Sequence, residues 1–386
     1  MGVRLPPVLQ AREGDRGHLR RLDRAPRARR AALEALTPEP LGVALLGAGW
    51  ISRVYLAALD RVGGARLAAV ASRTRAAAEK LAAGRHAKAF GFDELPRLLA
   101  EPDVHLVFVN SPNRLHAEHA LAALEAGKHT VVEKPLCFGL DEAEHMCAAA
   151  KRHKLVLGYA ENLCFAPLFR RARELVRSGA LGRLLFARQV EKHGGPYSPW
   201  FFDRREAGGG ALMDMGCHGI EVLRFVFDKP VVRAVSARLA TVLHGEKTAL
   251  EDDAVVRLEL ASGATLVSES SWAALGGLES RLEVHGTEGT LVADLTSETG
   301  LRLTQRDGAQ SRPPVDPLVD HGYTGELSHF LAAARGAPLE ESAEDGRAVL
   351  ELLLAAYASA GRGGAEVALP FRPGGAAVPA DLWRRA

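Results

Sequence analysis

The sequence predicts an α/β protein with an N-terminal doubly wound parallel sheet and a second domain that contains another sheet. Residues 43–46 form an apolar run that leads directly into a glycine turn and a helical pattern. Apolar runs and helical patterns then alternate as far as about residue 160, which is typical of parallel strands joined by helices. From residue 254 onward, strand patterns joined by short turns predict a sheet of different construction.

Length and composition favour a soluble globular protein of more than one domain. The chain has 386 residues, 47% of them hydrophobic, which at roughly 150 residues per domain indicates two or three domains. Its 49 basic and 47 acidic side chains give a net charge of only +2, so we expect no nucleic-acid partner. No apolar run approaches the roughly 20 residues of a membrane span, so we expect no membrane partner. Four cysteines without a CxxC pair predict a reducing, cytoplasmic location.

The glycine turn after the first strand predicts a dinucleotide site. Gly47 and Gly49 follow residues 43–46, a helix begins near Trp50 and Ile51, and a second strand comes next. This order within about 30 residues is the context that makes the short motif specific. Gly47 permits the tight turn, Gly49 lets the backbone approach a pyrophosphate, and the free N–H groups at the helix start face its charge.

The end of the second strand, at residues 67–71, predicts which dinucleotide binds. An acidic side chain there would hold the ribose 2′-hydroxyl of NAD, and a basic one would accommodate the 2′-phosphate of NADP. No acid occurs between Asp60 and Glu79, whereas Ser72 and Arg73 follow the strand directly. Since a guanidinium group pairs well with phosphate, we expect NADP to be preferred over NAD.

Polar residues follow the next two predicted strands, at residues 104–109 and 130–132. The five that we assign to the cofactor site are Asn110, Pro112, Asn113, Glu133 and Lys134. Ligands of doubly wound sheets bind beyond the carboxyl ends of the strands, where all five lie. A lysine in this position would lie beside the nicotinamide.

These motifs resemble the Gfo/Idh/MocA (glucose-fructose oxidoreductase, inositol dehydrogenase and rhizopine catabolism) oxidoreductases over about residues 43–370. Its markers are the Gly-Ala-Gly turn, Ser111-Pro112-Asn113 with His116, Gly-Lys-His-Thr-Val-Val-Glu-Lys-Pro at 127–135, and Gly-Gly-Gly-Ala-Leu-Met-Asp-Met-Gly-Cys-His at 208–218. The resemblance implies an N-terminal Rossmann domain and a C-terminal α+β domain with an open, mixed, largely antiparallel sheet. It also implies that a sugar or polyol binds between them.

The resemblance further implies a catalytic set of Lys134, Asp214 and His218, and it places His116 at the cofactor site. The chain departs from the family pattern at Ser52, where a third Gly or Ala is usual, and at Glu221, where Asp is frequent.

The spacing of Asp214 and His218 fits catalysis of alcohol oxidation. On an α-helix over residues 211–227, side chains four apart lie on one face, one turn from each other. The hydroxyl proton must leave while hydride is transferred, and an imidazole titrating near neutrality is suited to accept it. We therefore expect His218 to be the base, Asp214 to orient a neighbouring hydroxyl or the imidazole, and Lys134 to stabilise charge on the reacting oxygen.

Two other interpretations of the Asp214 and His218 pair stay open. It could be a simple pair on a helix surface, or half of a metal site. We expect no metal, because no third ligand recurs at a fixed spacing and the Lys134 ammonium would repel a cation.

Two segments are expected to contact the sugar. Asn162 follows a strand pattern at residues 155–158, where the chain crosses into the second domain. The loop at residues 193–205 contains Trp200, whose ring could pack on a pyranose, and Arg204, which could bind a carboxylate or phosphate. Alternatively, the aromatic side chains of this loop anchor it to the core.

The second sheet is predicted from a hairpin at residues 254–260 and 264–272 and from strands at 281–285 and 289–293. One face of such a sheet often stays uncovered, so we expect a homodimer or homotetramer joined sheet to sheet. An amphipathic helix at residues 344–360 is expected to pack back on the body.

The sequence therefore predicts an NAD(P)-dependent oxidoreductase that transfers hydride between the nicotinamide and a secondary hydroxyl or ketone of a sugar, polyol or cyclitol. Two alternatives remain: a family variant that retains its nucleotide and performs redox-neutral lyase or glycosidase chemistry, and a non-catalytic nucleotide sensor. We expect an Arg-rich, poorly ordered extension at residues 1–40, a nucleotide-binding domain at 41–160, a substrate-binding and oligomerisation domain at 161–345, and a C-terminal helix and tail at 346–386.

Overall fold

The computed structural model describes residues 39–297, 300–374 and 378–384. The extension expected at residues 1–40 lies outside the described residues, apart from its last two. The described chain forms two sheets, each with its own helices, in the order that the sequence predicts.

The first sheet has six strands, which are β1 Leu41–Leu46, β2 Ala65–Ser72, β3 Lys88–Gly91, β4 Leu106–Val109, β5 His129–Glu133 and β6 Leu157–Ala160. Their order is β3-β2-β1-β4-β5-β6 and every pair is parallel, which is the Rossmann arrangement. Leu45 pairs with Val70 on one side and Phe108 on the other, and all three are at most 1% exposed. The predicted doubly wound sheet is confirmed.

Five helices belong to this part of the chain, and they are α1 Trp50–Leu59, α2 Arg75–Ala82, α3 Leu95–Leu99, α4 His116–Glu125 and α5 Leu140–His153. No element is predicted from the sequence between residues 71 and 104, so β3 and the two helices beside it are additions. Their segments are short and partly exposed, and therefore lack a clear apolar period.

The second sheet has nine strands, which are β7 Leu184–Lys192, β8 Val232–Ala240, β9 Asp253–Leu260, β10 Thr265–Ser271, β11 Glu279–Gly286, β12 Gly289–Asp294, β13 Leu301–Gln305, β14 Gln310–Ser311 and β15 Val367–Ala368. Their order is β14-β13-β12-β11-β7-β10-β9-β8-β15. Only β7 and β10 pair in parallel, and the other neighbours are antiparallel. The open, mixed, largely antiparallel sheet is confirmed.

The helices after β6 are α6 Pro167–Arg177, α7 Arg204–Ala207, α8 Cys217–Val226, α9 Tyr323–Ala333 and α10 Ala343–Gly361. Helix α8 packs against β7 and β10, and α10 packs against β8, so one face of the sheet is covered. On the opposite face Val255 of β9 is 40% exposed. None of the described helices is both long enough and apolar enough to cross a membrane.

Helix α9 departs from the predicted domain division. It lies within the segment 161–345 expected to form the second domain, yet it packs on α1 of the first. Its Leu327 and Phe330 share one apolar cluster with Val43 and Tyr55. A parallel sheet is buried on both faces, and α9 covers a part of the first sheet that the helices of the first domain leave uncovered.

Helix α10 joins the two domains. It packs against β8 of the second sheet and also against α5 and β6 of the first domain. Tyr159 N in β6 donates to Glu341 O just before the helix, so the helix start is fixed to the edge of the first sheet. The predicted helix at residues 344–360 therefore packs back on both domains.

Candidate active site

The glycine turn after β1 is shaped for a ligand. Gly47 has φ +128°, and a Cβ built on it would lie 2.4 Å from Asn110 O, so only glycine fits there. A Cβ on Gly49 would meet nothing within 4 Å, which leaves open space beside the turn. Ser52 Oγ donates to Gly47 O at 2.8 Å and accepts from Asn110 Nδ2 at 3.0 Å. The departure from the family's third glycine thus braces the turn.

The start of α1 suits a pyrophosphate. No side chain caps its first N–H groups, and no acidic residue occurs in its first turn. Anions bind well at such a helix start, because its N–H groups are unpaired and carry partial positive charge. Trp50 and Ile51, predicted cofactor contacts, form the first positions of this helix, and Trp50 is 42% exposed. The residues present therefore fit a bound dinucleotide.

Arg73 is available for a phosphate at the end of β2. Ser72 is half-buried and Arg73 is exposed. Within the described residues the Arg73 guanidinium has no hydrogen bond or ion pair, whereas Arg75 pairs with Glu94 at 3.0 Å.

The predicted residues after β4 have different surroundings. Asn110 is buried and its Oδ1 has no hydrogen-bond partner among the described residues, so it can accept from a ligand. Asn113 Nδ2 donates to Ala207 O at 2.9 Å, which ties this turn to the second domain. Pro112 precedes it and caps the turn that leads into α4.

His116 braces the site from inside. Its Nδ1 lies 2.7 Å from Pro135 O and its Nε2 lies 2.9 Å from Ser111 O, and the residue is 1% exposed. Burial lowers the pKa of His116 to about 4 and outweighs the two carbonyl contacts, which favour the charged ring. Both ring nitrogens lie within hydrogen-bond distance of backbone oxygens, so the ring connects the turns after β4 and β5. The expected place of His116 at the cofactor site stays a prediction.

Glu133 likewise faces the protein interior. Tyr55 OH lies 3.0 Å from Glu133 Oε1 and 2.7 Å from Glu326 Oε2. Lys134 N donates to Glu133 Oε2 at 3.0 Å. Burial raises the pKa of Glu133 to about 7, although the Lys134 charge opposes this shift. The carboxylate therefore supports the backbone at Lys134.

Lys134 and Asp214 form a buried ion pair between the two domains. Lys134 Nζ donates to Asp214 Oδ1 at 2.9 Å and to Asp214 O at 2.7 Å, and the side chains are 16% and 8% exposed. Burial disfavours both charges, but their mutual attraction outweighs it, so the pKa of Lys134 is raised and that of Asp214 is lowered. The sequence placed these two residues eighty positions apart in one site, and the structure brings them into contact.

The helix that carries Asp214 is not the predicted regular α-helix. Residues Leu212–Gly216 form a π-helical turn, and the α-helix begins only at Cys217. Glu251 Oε1 accepts from Gly210 N at 2.8 Å and from Leu212 N at 3.1 Å, so a buried carboxylate holds the start of the turn. π-turns are frequent at functional sites, where they re-aim side chains.

Asp214 and His218 consequently have different partners. The second oxygen of Asp214, Oδ2, accepts from Trp272 Nε1 at 2.9 Å and lies 3.4 Å from His193 Nε2. His218 Nδ1 instead lies 2.6 Å from Glu161 Oε1. No hydrogen bond joins the Asp214 and His218 side chains among the described residues, and each belongs to a separate pair.

Sequence reasoning missed three residues of this site. Trp272 and His193 contact Asp214, and Glu161, the residue before the predicted Asn162, contacts His218. Each lies at or just beyond the end of a strand, as the predicted cofactor residues do. That position was the available signal, but it became usable only once the order of the strands was known.

The three residues predicted to contact the sugar make contacts with other residues of the protein. Asn162 Nδ2 donates to His321 O at 2.8 Å. Trp200 stacks on Phe201 with ring centroids 3.9 Å apart, and Phe201 meets Trp272 edge-on at 6.3 Å.

Arg204 pairs with Asp381 at 2.5 Å, near the end of the described chain. The ion pair with Asp381 already compensates the charge of Arg204, which argues against the predicted role of Arg204 in binding substrate anions. The loop that carries Trp200 and Arg204 is thus anchored to the core, as the alternative interpretation held. Its Tyr197, 65% exposed, lies beside Trp50 of the glycine turn with centroids 6.4 Å apart.

Glu221, the other departure from the family pattern, is fully buried and pairs with Arg224. Its carboxylate lies within 4.8 Å of Cys164 and Glu341 atoms that could ligate a metal. Lys229 also enters this cluster, 3.4 Å from Glu341 Oε1. The two cationic side chains already compensate the acids, so Glu221 is a structural residue away from the cleft.

The chain joins a Rossmann domain with an open glycine turn to a second α/β domain that contributes a carboxylate and an imidazole beside a lysine. This combination defines a nicotinamide-dependent oxidoreductase. Two family models match the chain: "Oxidoreductase family, NAD-binding Rossmann fold" over residues 41–161 and "GFO/IDH/MocA C-terminal domain" over residues 169–292. The chain belongs to the Gfo/Idh/MocA oxidoreductase family, as its motifs indicate.

Two characterised relatives resemble most of the chain. The 1,5-anhydro-D-fructose reductase of Ensifer adhaerens is 31% identical over 76% of this chain and 87% of its own. Inositol 2-dehydrogenase of Rhizobium meliloti is 30% identical over 82% of this chain and 95% of its own.

Solved structures of other proteins are also similar to this chain. GenD2 from gentamicin A biosynthesis, in complex with NAD, superposes with a TM-score of 0.79 at 32% identity, covering 87% of this chain and 98% of that one. Levoglucosan dehydrogenase, complexed with NADH and L-sorbose, gives 0.76 at 26% identity, covering 86% and 100%.

Proposed function

We propose that this protein is an NAD(P)-dependent dehydrogenase or reductase that acts on a secondary hydroxyl or ketone of a sugar, polyol or cyclitol. The observation that carries the proposal is the Lys134 and Asp214 ion pair at the carboxyl end of β5, close to the open glycine turn. Three relatives, a 1,5-anhydro-D-fructose reductase, a levoglucosan dehydrogenase and an inositol 2-dehydrogenase, are named as sugar or polyol oxidoreductases, which supports this substrate class. We propose that residues 41–160 bind the nucleotide and that residues 161–345, without α9, supply the substrate site.

The protein's own groups position the substrate and move its proton. Lys134 is a fixed cation, because Asp214 holds its ammonium by two contacts, and one N–H is left for a substrate oxygen. It would stabilise the negative charge that develops on that oxygen. His218 would accept the hydroxyl proton in oxidation and return it in reduction. The glycine turn and Asn110 would hold the dinucleotide, whose nicotinamide would supply the hydride acceptor or donor.

The direct test is purified protein with a panel of sugars, polyols and cyclitols and either nucleotide, followed by the absorbance of the reduced nicotinamide. Turnover with any of these substrates supports the proposal. Nucleotide that copurifies and is not released, with substrate converted but no net reduction, would instead establish redox-neutral lyase or glycosidase chemistry. Binding of nucleotide without any conversion would establish a sensor.

We further propose a preference for NADP over NAD, because Arg73 is exposed and unpaired at the end of β2 and no acid follows that strand. Arg73→Ala is expected to reduce kcat/KM with NADP about tenfold while leaving NAD unchanged, since only NADP carries the 2′-phosphate. Arg66→Ala, on the same strand but paired with Asp103, is the matched control. A wild-type protein that turns over NAD more efficiently than NADP contradicts the preference.

We also propose a homodimer or homotetramer joined through the uncovered face of the second sheet, where Val255 is exposed. Light scattering after gel filtration tests this assembly, and Val255→Glu should reduce the assembled mass. A wild-type monomer excludes it.

The four cysteines are all free, which supports a cytoplasmic location.

A further inference from the structure

We propose that Glu161, and not Asp214, orients His218, so that a Glu161 and His218 dyad forms the catalytic base. The inference rests on the proposed function, because it assigns the base of that reaction. It goes beyond it by giving Glu161 the role of a positioning residue.

The geometry separates the two candidate carboxylates. His218 Nδ1 and Glu161 Oε1 are 2.6 Å apart, and the residues are 8% and 0% exposed. Asp214 makes no hydrogen bond to the His218 imidazole among the described residues: its Oδ1 accepts from Lys134 Nζ and its Oδ2 accepts from Trp272 Nε1, both at 2.9 Å.

The contact decides which ring nitrogen is the base. A carboxylate at Nδ1 keeps the proton on that nitrogen and leaves the lone pair on Nε2. Within the described part of the chain Nε2 has no hydrogen-bond partner. In oxidation, the substrate O–H bond breaks and its proton binds Nε2, the C–H electron pair leaves as hydride to the oxidised nicotinamide, and the carbonyl forms. The imidazolium produced then lies against the Glu161 carboxylate, which stabilises it.

Among the described residues, no lysine or arginine forms an ion pair with Glu161. The titratable groups that interact with it electrostatically include Glu133, Glu191, Glu326, Tyr159, Tyr323, Cys164 and Cys217. Burial raises the pKa of every one of them, which favours their neutral forms. Lys134, the nearby permanent cation, is bound to Asp214. Besides Leu163 N at 3.4 Å, the imidazole is the partner of Glu161, and its second oxygen has none among the described residues.

The test is Glu161→Gln, which keeps the shape and a hydrogen-bond acceptor but removes the charge. We expect kcat for oxidation to fall about 100-fold or more, while KM for substrate and nucleotide changes less than about threefold. The acidic limb of the kcat profile should move to lower pH by about one unit, because the imidazolium loses its counter-charge. Glu161→Asp should restore the position of this limb. Glu191→Gln, which removes a nearby buried carboxyl without contact to His218, should leave it in place.

Three results would overturn the inference: wild-type kcat in Glu161→Gln, an unmoved limb, or an equal shift of the limb in Asp214→Asn. A readout without turnover separates this inference from the proposed function. Nitrogen-15 spectra of the imidazoles, with the His218 signal assigned through His218→Gln, should show the Nδ1–H form. If no sugar is converted but this form is found, the dyad stands and the proposed substrate class fails. An Nε2–H form refutes the dyad even if Glu161→Gln does not fold.

Discussion

Lys134 shows how a buried charge becomes useful at the scale of one residue. An ammonium removed from water is costly, and unpaired it would lose its proton. Asp214 reverses that tendency with its carboxylate and backbone oxygens, and Trp272 holds the carboxylate from the other side. The result is a positive charge that neither moves nor titrates near neutral pH. This is the kind of preorganised group that stabilises a developing oxyanion.

Replacing this lysine should affect the chemical step more than cofactor binding. We expect Lys134→Ala to lower kcat about 100-fold or more, while the Kd of the nucleotide stays within about threefold, since the contact is made chiefly in the transition state. Steady-state kinetics and fluorescence titration of the reduced nucleotide measure the two quantities.

Lys88→Ala is the control for this prediction, because Lys88 also pairs with a carboxylate, Glu101, but is 61% exposed and distant from the cleft. Near-normal turnover of Lys134→Ala would contradict the assigned role.

The residues of the site divide by how they could be recognised. Lys134, Asp214 and His218 were named from the resemblance to the family, and their residue types fit the chemistry. The roles of Glu161, His193 and Trp272 depend on which strand ends become neighbours, and a single sequence does not reveal that. The contacts of both His116 ring nitrogens with backbone oxygens likewise become visible only in the fold.

At the scale of elements, the π-turn at Leu212–Gly216 depends on the glycines before it. A Cβ on Gly209 would lie 1.9 Å from Tyr357 OH, and one on Gly210 would lie 1.8 Å from Glu251 O. This close approach lets the Glu251 carboxylate reach the first N–H groups of the turn. Tyr357 OH donates to the same carboxylate at 2.5 Å, so α10 supports the turn as well.

Gly209→Ala is therefore expected to destabilise the protein by about 1–3 kcal/mol through overpacking against Tyr357. Urea unfolding followed by circular dichroism measures the change in the free energy of unfolding. Gly63→Ala is the control, because an added Cβ there meets nothing within 4 Å. Equal stability of the two variants would show that the glycine run is not needed for packing.

The elements that the sequence predicted share one property: a strong apolar period in a segment that makes most of its contacts on one or two faces. The strands of the first sheet and the hairpin of β9 and β10 satisfy this condition. The π-turn does not, because its apolar pattern suits an α-helix equally and tertiary contacts decide between them. Helix α9 was not predicted, and amphipathicity would identify its buried face but not what covers it.

At the scale of the whole molecule, buried carboxyl groups are numerous. Burial raises the pKa of Glu133 and Glu251 to about 7 and that of Glu191 to about 8. These groups keep their protons in the folded chain, whereas in the unfolded chain they ionise above about pH 4.3. Raising the pH from about 4.3 toward 8 therefore favours the unfolded state. The free energy of unfolding falls by up to about 1.4 kcal/mol per pH unit for each such group.

We accordingly expect the midpoint of thermal unfolding to fall as the pH rises from 6 to 8.5. Glu191→Gln should reduce this slope, because an amide cannot ionise in either state. Glu269→Gln, which removes a surface carboxylate paired with Arg188, should leave the slope unchanged. A midpoint that is constant or rises over this range would contradict the assignment. His116 and His119, with pKa values lowered to about 4, affect stability between about pH 4 and 6.5 and therefore overlap only the lower end of this range.

Helix α10 has a consequence for how the molecule is made. It follows both domains in the chain, yet its side chains fill the space between β8 and α5. During synthesis the nucleotide domain emerges first. Part of its apolar surface stays uncovered until some two hundred further residues have left the ribosome. We expect nascent chains halted before residue 343 to bind chaperones, and chains released after residue 361 to escape them.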